Sequence, residues 1–234
     1  MKVTGAVITA SDSAPSEVEA YERWLEAVRG PAIAGVDGVA AVRHYRADAA
    51  LQALRGANPA EAFAPGSAAF LEVCLLTGDD PATAVQGLQR LSSELLAPVA
   101  LGETIRHRES FELRWAMGRI GLTEAEDALP FAEHRGIQIA LGEVADEAMR
   151  PVIADWYLTT HAPDALLVDG FLVALRMTSL ETPGRHLVIF LLDDEPAECI
   201  RRIREVVPVW RSRGRTPSPG GASRAVVNGP FALV

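Results

Sequence analysis

The sequence has little cysteine, and the two cysteines present do not form a motif. Cys74 and Cys199 each lie within an apolar segment, with no CxxC spacing and no neighbouring His cluster. A disulfide framework and a zinc site both need denser cysteine or histidine patterns than this. We therefore expect two buried small side chains and no metal ligands.

Positive charge is in short supply. The chain has 22 Lys and Arg residues against 31 Asp and Glu residues, for a formal net charge of −9. A protein that holds a phosphate backbone does so through a broad basic face. Nucleic acid is therefore not expected as a partner.

Long hydrophobic runs are also missing. No stretch approaches the roughly 20 apolar residues that a membrane-spanning helix needs. The apolar run at residues 3–10 is interrupted by Ser11, Asp12 and Ser13, which makes it too short for the core of a signal peptide. We expect no membrane partner and, by default, a cytoplasmic location.

Several common enzyme signatures do not occur. The sequence contains no GxGxxG, GxxxxGK[ST], GxSxG or HExxH motif. These motifs mark dinucleotide sites, nucleotide sites, serine hydrolases and zinc proteases. A reaction that needs no bound cofactor, or binding without reaction, is what this leaves.

What the chain does have is self-similarity. Trp24 and Trp156, Pro31 and Pro163, and Gly38 and Gly170 form three pairs that lie 132 positions apart. Further along, the Pro81 and Pro196 segments correspond at a spacing of 115. The change in spacing indicates an insertion in the first copy, which we place at residues 47–67, because surface loops accept added residues at little cost.

Both copies show the same predicted order of elements, βαββαβ. The first copy has strands at residues 2–9, 39–45, 69–76 and 110–117, with helices that start near Ser13 and at Asp80-Pro81. Strands of the second copy fall at residues 137–143, 171–177, 187–192 and 225–234, and its helices contain Met149 to Thr160 and the segment after Pro196. A Pro/Gly/Ser-rich loop at residues 216–223 is expected to cover a cavity mouth.

This order predicts an α+β fold of two tandem ferredoxin-like halves. The halves are residues 1–118 and 137–234, with a connector at 119–136. In each half, helices cover one face of a four-stranded antiparallel sheet and leave the other face apolar. The two bare faces are expected to pack together as a pseudo-two-fold barrel around a central cavity.

The second half carries a sharper motif. Trp156-Tyr157, His161, Pro163 and Gly170-Phe171 are followed by Arg176 on a predicted strand. This pattern resembles the dimeric α+β barrel superfamily, particularly EthD-like and antibiotic-biosynthesis-monooxygenase-like proteins. The first half keeps Trp24, Pro31, Gly38 and Arg43, but has Arg29 at the position of His161. Membership would imply one of several outcomes: a cofactor-free monooxygenase, a polyketide cyclase, a lactone isomerase, a haem enzyme, or a protein without a known reaction.

His161 and Arg176 are the candidate catalytic residues. An imidazole with an ordinary pKa of about 6.5 can exchange a proton with a phenol, enol or carbonyl near neutral pH. A guanidinium can hold a carboxylate or stabilise an enolate oxygen. The alternatives are that His161 only caps its helix and that Arg176 pairs with surface carboxylates.

Trp156, Tyr157, Arg43, His44 and Trp115 are the candidate substrate-binding residues. The aromatic residues could equally be core, because an aromatic stripe at helical spacing packs against a sheet. His44 and Tyr45 alternate across their strand, so only one of the two can face the cavity. Three further histidines carry no assigned role: His107 and His134, which we expect to be solvated, and His186.

Three functions are consistent with this sequence. The first is a cofactor-independent enzyme that acts on an apolar oxygenated small molecule, as a cyclase, isomerase or monooxygenase. The second is a non-catalytic small-molecule-binding protein, and the third a haem protein on a duplicated barrel. The chain could act alone or pair again as a homodimer.

Overall fold

The computed structural model describes residues 2–56, 60–78, 81–95, 97–215 and 223–234. Its centre is a closed antiparallel barrel of eight strands. The strands are β1 (Val3–Asp12), β2 (Val39–Arg46), β3 (Phe70–Thr77), β4 (Thr104–Gly118), β5 (Gly136–Glu143), β6 (Phe171–Ser179), β7 (Arg185–Leu192) and β8 (Arg224–Leu233).

Helices lie on the outside of the barrel. The α-helices are α1 (Val18–Trp24), α2 (Gly30–Ala34), α3 (Ala49–Ala53), α4 (Pro81–Glu94), α5 (Met149–Trp156), α6 (Ala162–Ala165) and α7 (Pro196–Ser212). Two π-helices, Leu25–Arg29 and Tyr157–His161, connect α1 to α2 and α5 to α6. Short 3-10 helices occur at Pro15–Glu17, Glu61–Phe63, Val99–Leu101 and Glu126–Phe131.

The order of strands around the barrel is β1-β3-β2-β8-β5-β7-β6-β4. Each group of four consecutive strands therefore has the same arrangement, β4-β1-β3-β2 in the first and β8-β5-β7-β6 in the second. The barrel is closed by two seams between the groups, β2–β8 and β6–β4, and each seam joins the last strand of one group to the first strand of the other. The β4–β6 seam runs from Phe111 to Gly118, whereas the β2–β8 seam has only two paired positions.

The barrel interior is filled by alternate side chains of the strands. Ile8, Leu71, Phe111, Ile139 and Ile189 are each at most 2% exposed and belong to one continuous apolar cluster. An eight-stranded barrel is just wide enough for large side chains to fill it. We expected a central cavity here, and that expectation is wrong, because mostly branched and aromatic inward side chains occupy the space.

The opposite side of each strand faces the helices and has its own clusters. One contains Phe171, Val188, Phe190, Cys199 and Ile203 beneath α7. Another, beneath α4, contains Val7, Cys74, Leu76 and Leu88. Both cysteines are free and buried, as their apolar context predicted. The period-2 alternation thus produces one shared inner core and separate outer cores.

The π-helices are a difference from the predicted helices. With α-helical spacing, Val28 would lie on the buried face of the first helix. The wider turn at Leu25–Arg29 instead leaves Val28 43% exposed and buries Arg29 to 5%. In the second half a π-helix occupies the equivalent position, Tyr157–His161. Such segments are rare and frequently lie at functional sites.

Seven of the eight predicted strands end within two residues of the observed ones, and β1 ends three residues later than predicted. A strand start and a helix cap also differ. β4 begins at Thr104, six residues before its predicted start, because its first residues pair with β1. Ser13 does not cap a helix: its hydroxyl is buried without a hydrogen-bond partner, and the 3-10 turn begins at Pro15. Asp80 and residues 216–222, for which we predicted a cap and a loop, lie outside the described residues.

The 47–67 segment contains α3 and a 3-10 helix. Arg55 anchors it by donating to the carbonyl oxygens of Phe63, Ser67 and Ala68. Among the described residues, no helix is long and apolar enough to cross a membrane.

Gly170 tests how tightly the strands and helices are packed. Gly170 has a φ of +95°, and a Cβ there would overlap the sulfur of Cys199 on α7. Gly66 has a similar φ of +84° but open space around its Cα. Gly66→Ala should therefore cost about 1–2 kcal/mol of backbone strain, while Gly170→Ala should cost about 1–3 kcal/mol more because overpacking is added. Urea denaturation of both variants measures the difference, and equal losses would contradict the predicted overlap.

Candidate functional site

Two sizeable cavities lie between the sheet and the helices of the second half. The first, which we call the His161 cavity, has a volume of about 450 Å³. Its walls include Trp156, Tyr157, Gln138, Phe190, Ile200, Arg204 and Arg211. The second, the Arg176 cavity, has a volume of about 600 Å³ and includes Trp115, Arg150, Arg185 and His186.

The imidazole of His161 is surrounded by aromatic rings. It stacks on Trp156, with ring centroids 4.6 Å apart and an interplanar angle of 19°. Tyr157, Phe190 and Trp210 meet it edge to face at 5.2–6.3 Å. Within the described part of the chain, neither ring nitrogen of His161 has a hydrogen-bond partner, so the imidazole remains free to interact with a molecule in the cavity.

Burial controls the protonation of His161. Removal from water disfavours the charged imidazolium and lowers the pKa of His161 to about 4, while the nearby charge of Asp164 opposes the shift. The imidazole is therefore neutral at pH 7. A neutral imidazole in a mostly apolar site is a proton acceptor.

Contacts across the cavity hold the aromatic wall in place. Trp156 donates its indole N–H to the carbonyl oxygen of Arg215 at 2.7 Å. Arg215 in turn forms a bidentate ion pair with Asp164, with N–O distances of 2.6 and 2.7 Å. On the sheet side, Gln138 donates to Asn228 at 2.6 Å, and its own carbonyl oxygen is buried without a partner. This oxygen is a second polar group available to a ligand.

Tyr157 stands between the two cavities. One side of its ring faces His161 at 5.2 Å, and the guanidinium carbon of Arg176 lies 5.1 Å from the ring centroid. His186 also contacts the Tyr157 ring, at 5.4 Å. His161 and Arg176 therefore line different cavities, and the structure does not bring the two candidate catalytic residues together in one space.

The corresponding region of the first half is closed. Glu72 on β3 accepts hydrogen bonds from Arg29 at 2.6 and 3.2 Å, and the Nε2 atom of His44 lies 3.1 Å from the same carboxylate. Tyr21 donates to Glu103 at 2.6 Å beside them. The remaining space is about 10 Å³. Gly30 makes room for His44, because a Cβ there would lie 3.2 Å from the imidazole.

Charge pairing sets the pKa of Glu72. Burial alone would raise it, but the hydrogen bond from His44 and the adjacent Arg29 guanidinium lower the pKa of Glu72 below its usual value. We call the side chains of Arg29, His44 and Glu72 the first-half triad. Its members hold one another and leave no space for a ligand.

His44 and Tyr45 point to opposite sides of β2. His44 faces the helices, while Tyr45 faces the barrel interior and bonds to Nε2 of His134 at 2.8 Å. Arg43 shares the inner side of β2. Burial raises the pKa of Tyr45 and lowers the pKa of His134, and the charge of Arg43 opposes the first shift and adds to the second. Arg43 and His44 therefore lie away from the two cavities, and Arg43 is not the counterpart of Arg176.

Two histidines are less exposed than expected. His134 is 8% exposed and also bonds the carbonyl oxygen of Ala132 at 2.7 Å. His107 lies 3.1 Å from Glu109, a carboxylate that is 2% exposed. The expectation that both are solvated is wrong, because the charged neighbours in sequence point outward while the imidazoles turn toward buried partners.

Three other polar residues, which line the two cavities or the closed region of the first half, gave no signal in the sequence. Gln138 sits in an apolar strand, His186 had no assigned partner, and Glu72 was one acid among many. Knowledge of the strand register would have identified Glu72, since it lies directly opposite His44. Trp115 does line a cavity, on the outer face of the sheet. No group of three or more His, Cys, Asp or Glu side chains suited to a metal occurs among the described residues.

Comparison with known proteins places the fold. No family model and no curated protein matches the sequence. Among solved structures, an anthrone oxidase-like protein is 11% identical with a TM-score of 0.60, covering 100% of this chain and 92% of that chain. A DypB variant from Rhodococcus jostii in complex with heme is 10% identical with a TM-score of 0.60, covering 100% and 94%. A dye-decolorizing protein from V. cholerae is 13% identical with a TM-score of 0.50, covering 99% and 94%.

At these identities the similarity is one of fold. The chain has the fold of the dimeric α+β barrel superfamily, as its second-half motif indicated. The reaction has to be argued from the residues of this chain.

Removal of the Glu72 charge should destabilise the protein strongly. Glu72→Gln leaves the buried Arg29 with the more distant Glu103, at 3.9 Å, as its remaining counter-ion, and we expect a loss of up to about 3–5 kcal/mol in the free energy of unfolding at pH 7. Glu19→Gln, whose carboxylate is 86% exposed and 4.0 Å from Arg23, should change stability by less than about 0.5 kcal/mol. Urea denaturation of both variants measures this.

The same residue predicts a pH dependence. Because the folded pKa of Glu72 lies below the unfolded value of about 4.3, its stabilisation is present above that pH and is lost as the pH falls through the folded pKa. The Glu72→Gln variant should therefore lose less stability on acidification than the unaltered protein. An identical acid slope in both would show that Glu72 does not carry this charge.

Proposed function

We propose that this chain is a monooxygenase-like enzyme that works without a tightly bound cofactor on an apolar, oxygenated small molecule. The substrate would occupy the His161 cavity. The observation that carries the proposal is a neutral, unbonded imidazole on the wall of a 450 Å³ cavity otherwise made mostly of aromatic and aliphatic side chains. Perturbed titratable groups in such a cavity are typical of active sites.

His161 is the proposed proton acceptor. It would take a proton from a phenol, an enol or an activated carbon of the substrate and leave an anion. Asp164, whose charge favours the protonated imidazole, would stabilise the resulting imidazolium. Arg204 and Arg211 on the cavity wall are the nearest candidates to face the substrate anion.

The steps after proton removal define the reaction type. In a monooxygenase the co-substrate is dioxygen: a CH₂ group becomes a carbonyl, one oxygen atom enters the product, and the other leaves as water. A cyclase or isomerase uses the same proton removal and returns the proton elsewhere. The fold likeness to an anthrone oxidase-like protein agrees with the first type.

Arg176 needs a different role from the one the sequence suggested. Tyr157 lies between it and His161, so Arg176 would position the Tyr157 ring through its guanidinium face instead of contacting the substrate. Trp156 and Tyr157 keep their proposed role as substrate-binding walls. Of the two cavities named above, Trp115 would bind a ligand in the Arg176 cavity.

Internal duplication is part of the proposal. The equal strand order of the two halves and the π-helices at equivalent positions, Leu25–Arg29 and Tyr157–His161, support it. Duplication accounts for one closed and one open site in the same chain. A homodimer, also proposed, would form through the outer helices, since the barrel closes within one chain.

Haem fits the His161 cavity poorly. A histidine that ligates a metal normally donates its second ring N–H to a carboxylate, a carbonyl or water. Among the described side chains and carbonyls, none accepts such a bond from His161, and four aromatic rings already surround the imidazole. A visible absorption band in the purified or reconstituted protein would overturn this assessment.

His161→Ala should abolish turnover with little change in melting temperature. Turnover of anthrone, followed by oxygen uptake and product absorbance, should fall at least about 100-fold, the usual contribution of a general base. In the unaltered protein, kcat/KM should stay level from neutral pH down and fall as the pH approaches 4, where the imidazole gains its proton. Arg201→Met, on the exposed face of α7, is the matched control and should retain activity.

Three outcomes would contradict the proposal. One is full activity of His161→Ala, and another is a pH profile centred on the ordinary histidine pKa. The third is anthrone that raises the melting temperature of the protein but is never converted, which would instead support the non-catalytic binding protein.

A further inference from the structure

The guanidinium of Arg176 is buried and lacks a counter-ion. Arg176 is 4% exposed, and its Nε atom is buried with no hydrogen-bond partner. One terminal nitrogen donates to the carbonyl oxygen of Met177 at 2.5 Å, and one face of the group lies against Tyr157. No carboxylate in the described part of the chain pairs with it. A buried charge normally has such a partner.

The first half shows which partner is missing. On β2 and β3, His44 lies opposite Glu72, and on β6 and β7 Arg176 lies opposite Val188. His161 in the second half thus corresponds to Arg29 in the first, and Arg176 corresponds to His44. Each half therefore has one arginine and one histidine, at exchanged positions. The acid between them becomes Val188, which is 0% exposed. The second half keeps the basic residues and has lost the carboxylate.

The Arg176 cavity has the charge and the walls to accept a carboxylate from outside. Arginines 114, 150, 176 and 185 line it, against one acid, Asp155. Two of these arginines are already paired, Arg114 with Glu112 at 2.9 Å and Arg185 with Glu109 and Glu143 at 3.3 and 3.1 Å. Arg150 donates to the carbonyl oxygen of Val144 at 3.4 Å, and no carboxylate of the described residues pairs with it. The apolar walls are Trp115, Val144, Pro151, Ala154 and Leu158.

We propose that the Arg176 cavity is a binding site for a small apolar molecule that carries one carboxylate, which Arg176 receives as Arg29 receives Glu72. Arginine binds carboxylates through two parallel hydrogen bonds, and two of its donors are free here. A volume of about 600 Å³ lies within the range of roughly 300–1,000 Å³ that is usual for such ligands. Two of its arginines, Arg150 and Arg176, have no carboxylate partner among the described residues, so the cavity keeps positive charge for an anion.

This site is separate from the proposed reaction at His161. Tyr157 divides the two cavities, so a ligand in one does not need the other to be filled. Because Tyr157 contacts both His161 and Arg176, a bound carboxylate could alter the ring that walls the substrate cavity. The binding proposal stands whether or not His161 is catalytic.

The test compares 2-naphthoate with its uncharged analogue 2-naphthamide. Isothermal titration with the full chain should show one naphthoate site, with naphthamide at least tenfold weaker. Arg176→Met should abolish naphthoate binding and should not lower the melting temperature of the free protein, because it removes an unpaired buried charge. Arg90→Met makes the same charge change on the exposed surface of α4 and should bind normally, and so should His161→Ala.

A second variant returns the missing acid. Val188→Glu places a carboxylate opposite Arg176, where Glu72 lies in the first half, and should suppress naphthoate binding while every arginine is kept. If Val188→Glu does not fold, Arg176→Met and Arg176→Lys decide the question; Lys should retain only part of the affinity, because it cannot form the paired bonds.

Three results would overturn the proposal. The first is naphthoate binding weaker than about 1 mM. The second is equal affinity for naphthoate and naphthamide. The third is unchanged binding by Arg176→Met. If His161→Ala loses anthrone turnover but still binds naphthoate, the two proposals are shown to be independent. Failed naphthoate binding together with anthrone turnover that depends on His161 would overturn the binding proposal alone.

Discussion

The filled barrel interior is the constraint on which the rest of the structure depends. Every strand places branched or aromatic side chains inward, and their mutual burial closes the barrel and stabilises both halves at once. With the interior filled, the two cavities of the candidate site lie on the outer face of the sheet, under the helices. The location of the two cavities therefore follows from how the interior is packed. It also follows that a site can change on the outer face without disturbing the core that the halves share.

The two halves use this freedom differently. In the first, Arg29, His44 and Glu72 satisfy one another, and the side chains fill their own site. In the second, an apolar residue takes the place of the acid, and the basic side chains separate on either side of Tyr157. The first half therefore has internal pairing, and the second has unpaired polar groups that face open space. Unpaired buried groups cost stability, so their retention points to a role in binding or catalysis.

The sequence predicted the fold well and the site less well. Alternating apolar runs and matched Trp, Pro and Gly positions were sufficient for eight strands and a barrel, because burial on two faces leaves a strong periodic signal. The π-helices were not predictable, because the composition of a segment does not show one extra residue in a helical turn. It is this wider turn that buries Arg29 and exposes Val28. The motif around His161 pointed to a residue that lines a cavity, although this cavity lies under the helices and not inside the barrel as predicted. Its separation from Arg176 depends on where the Tyr157 ring lies, which a linear pattern does not contain.

The wide turn at Tyr157–His161 has a consequence for how such a site can evolve. Loss of a single codon within it would restore ordinary helical spacing and rotate the preceding residues by about 100° relative to those that follow. Trp156 would leave its stack on His161, and Ile153, the buried residue of α5, would turn away from the sheet with it, whereas the strands would keep their pairing. A protein built this way can gain or lose an aromatic-lined cavity in one genetic event, and the barrel beneath would tolerate it.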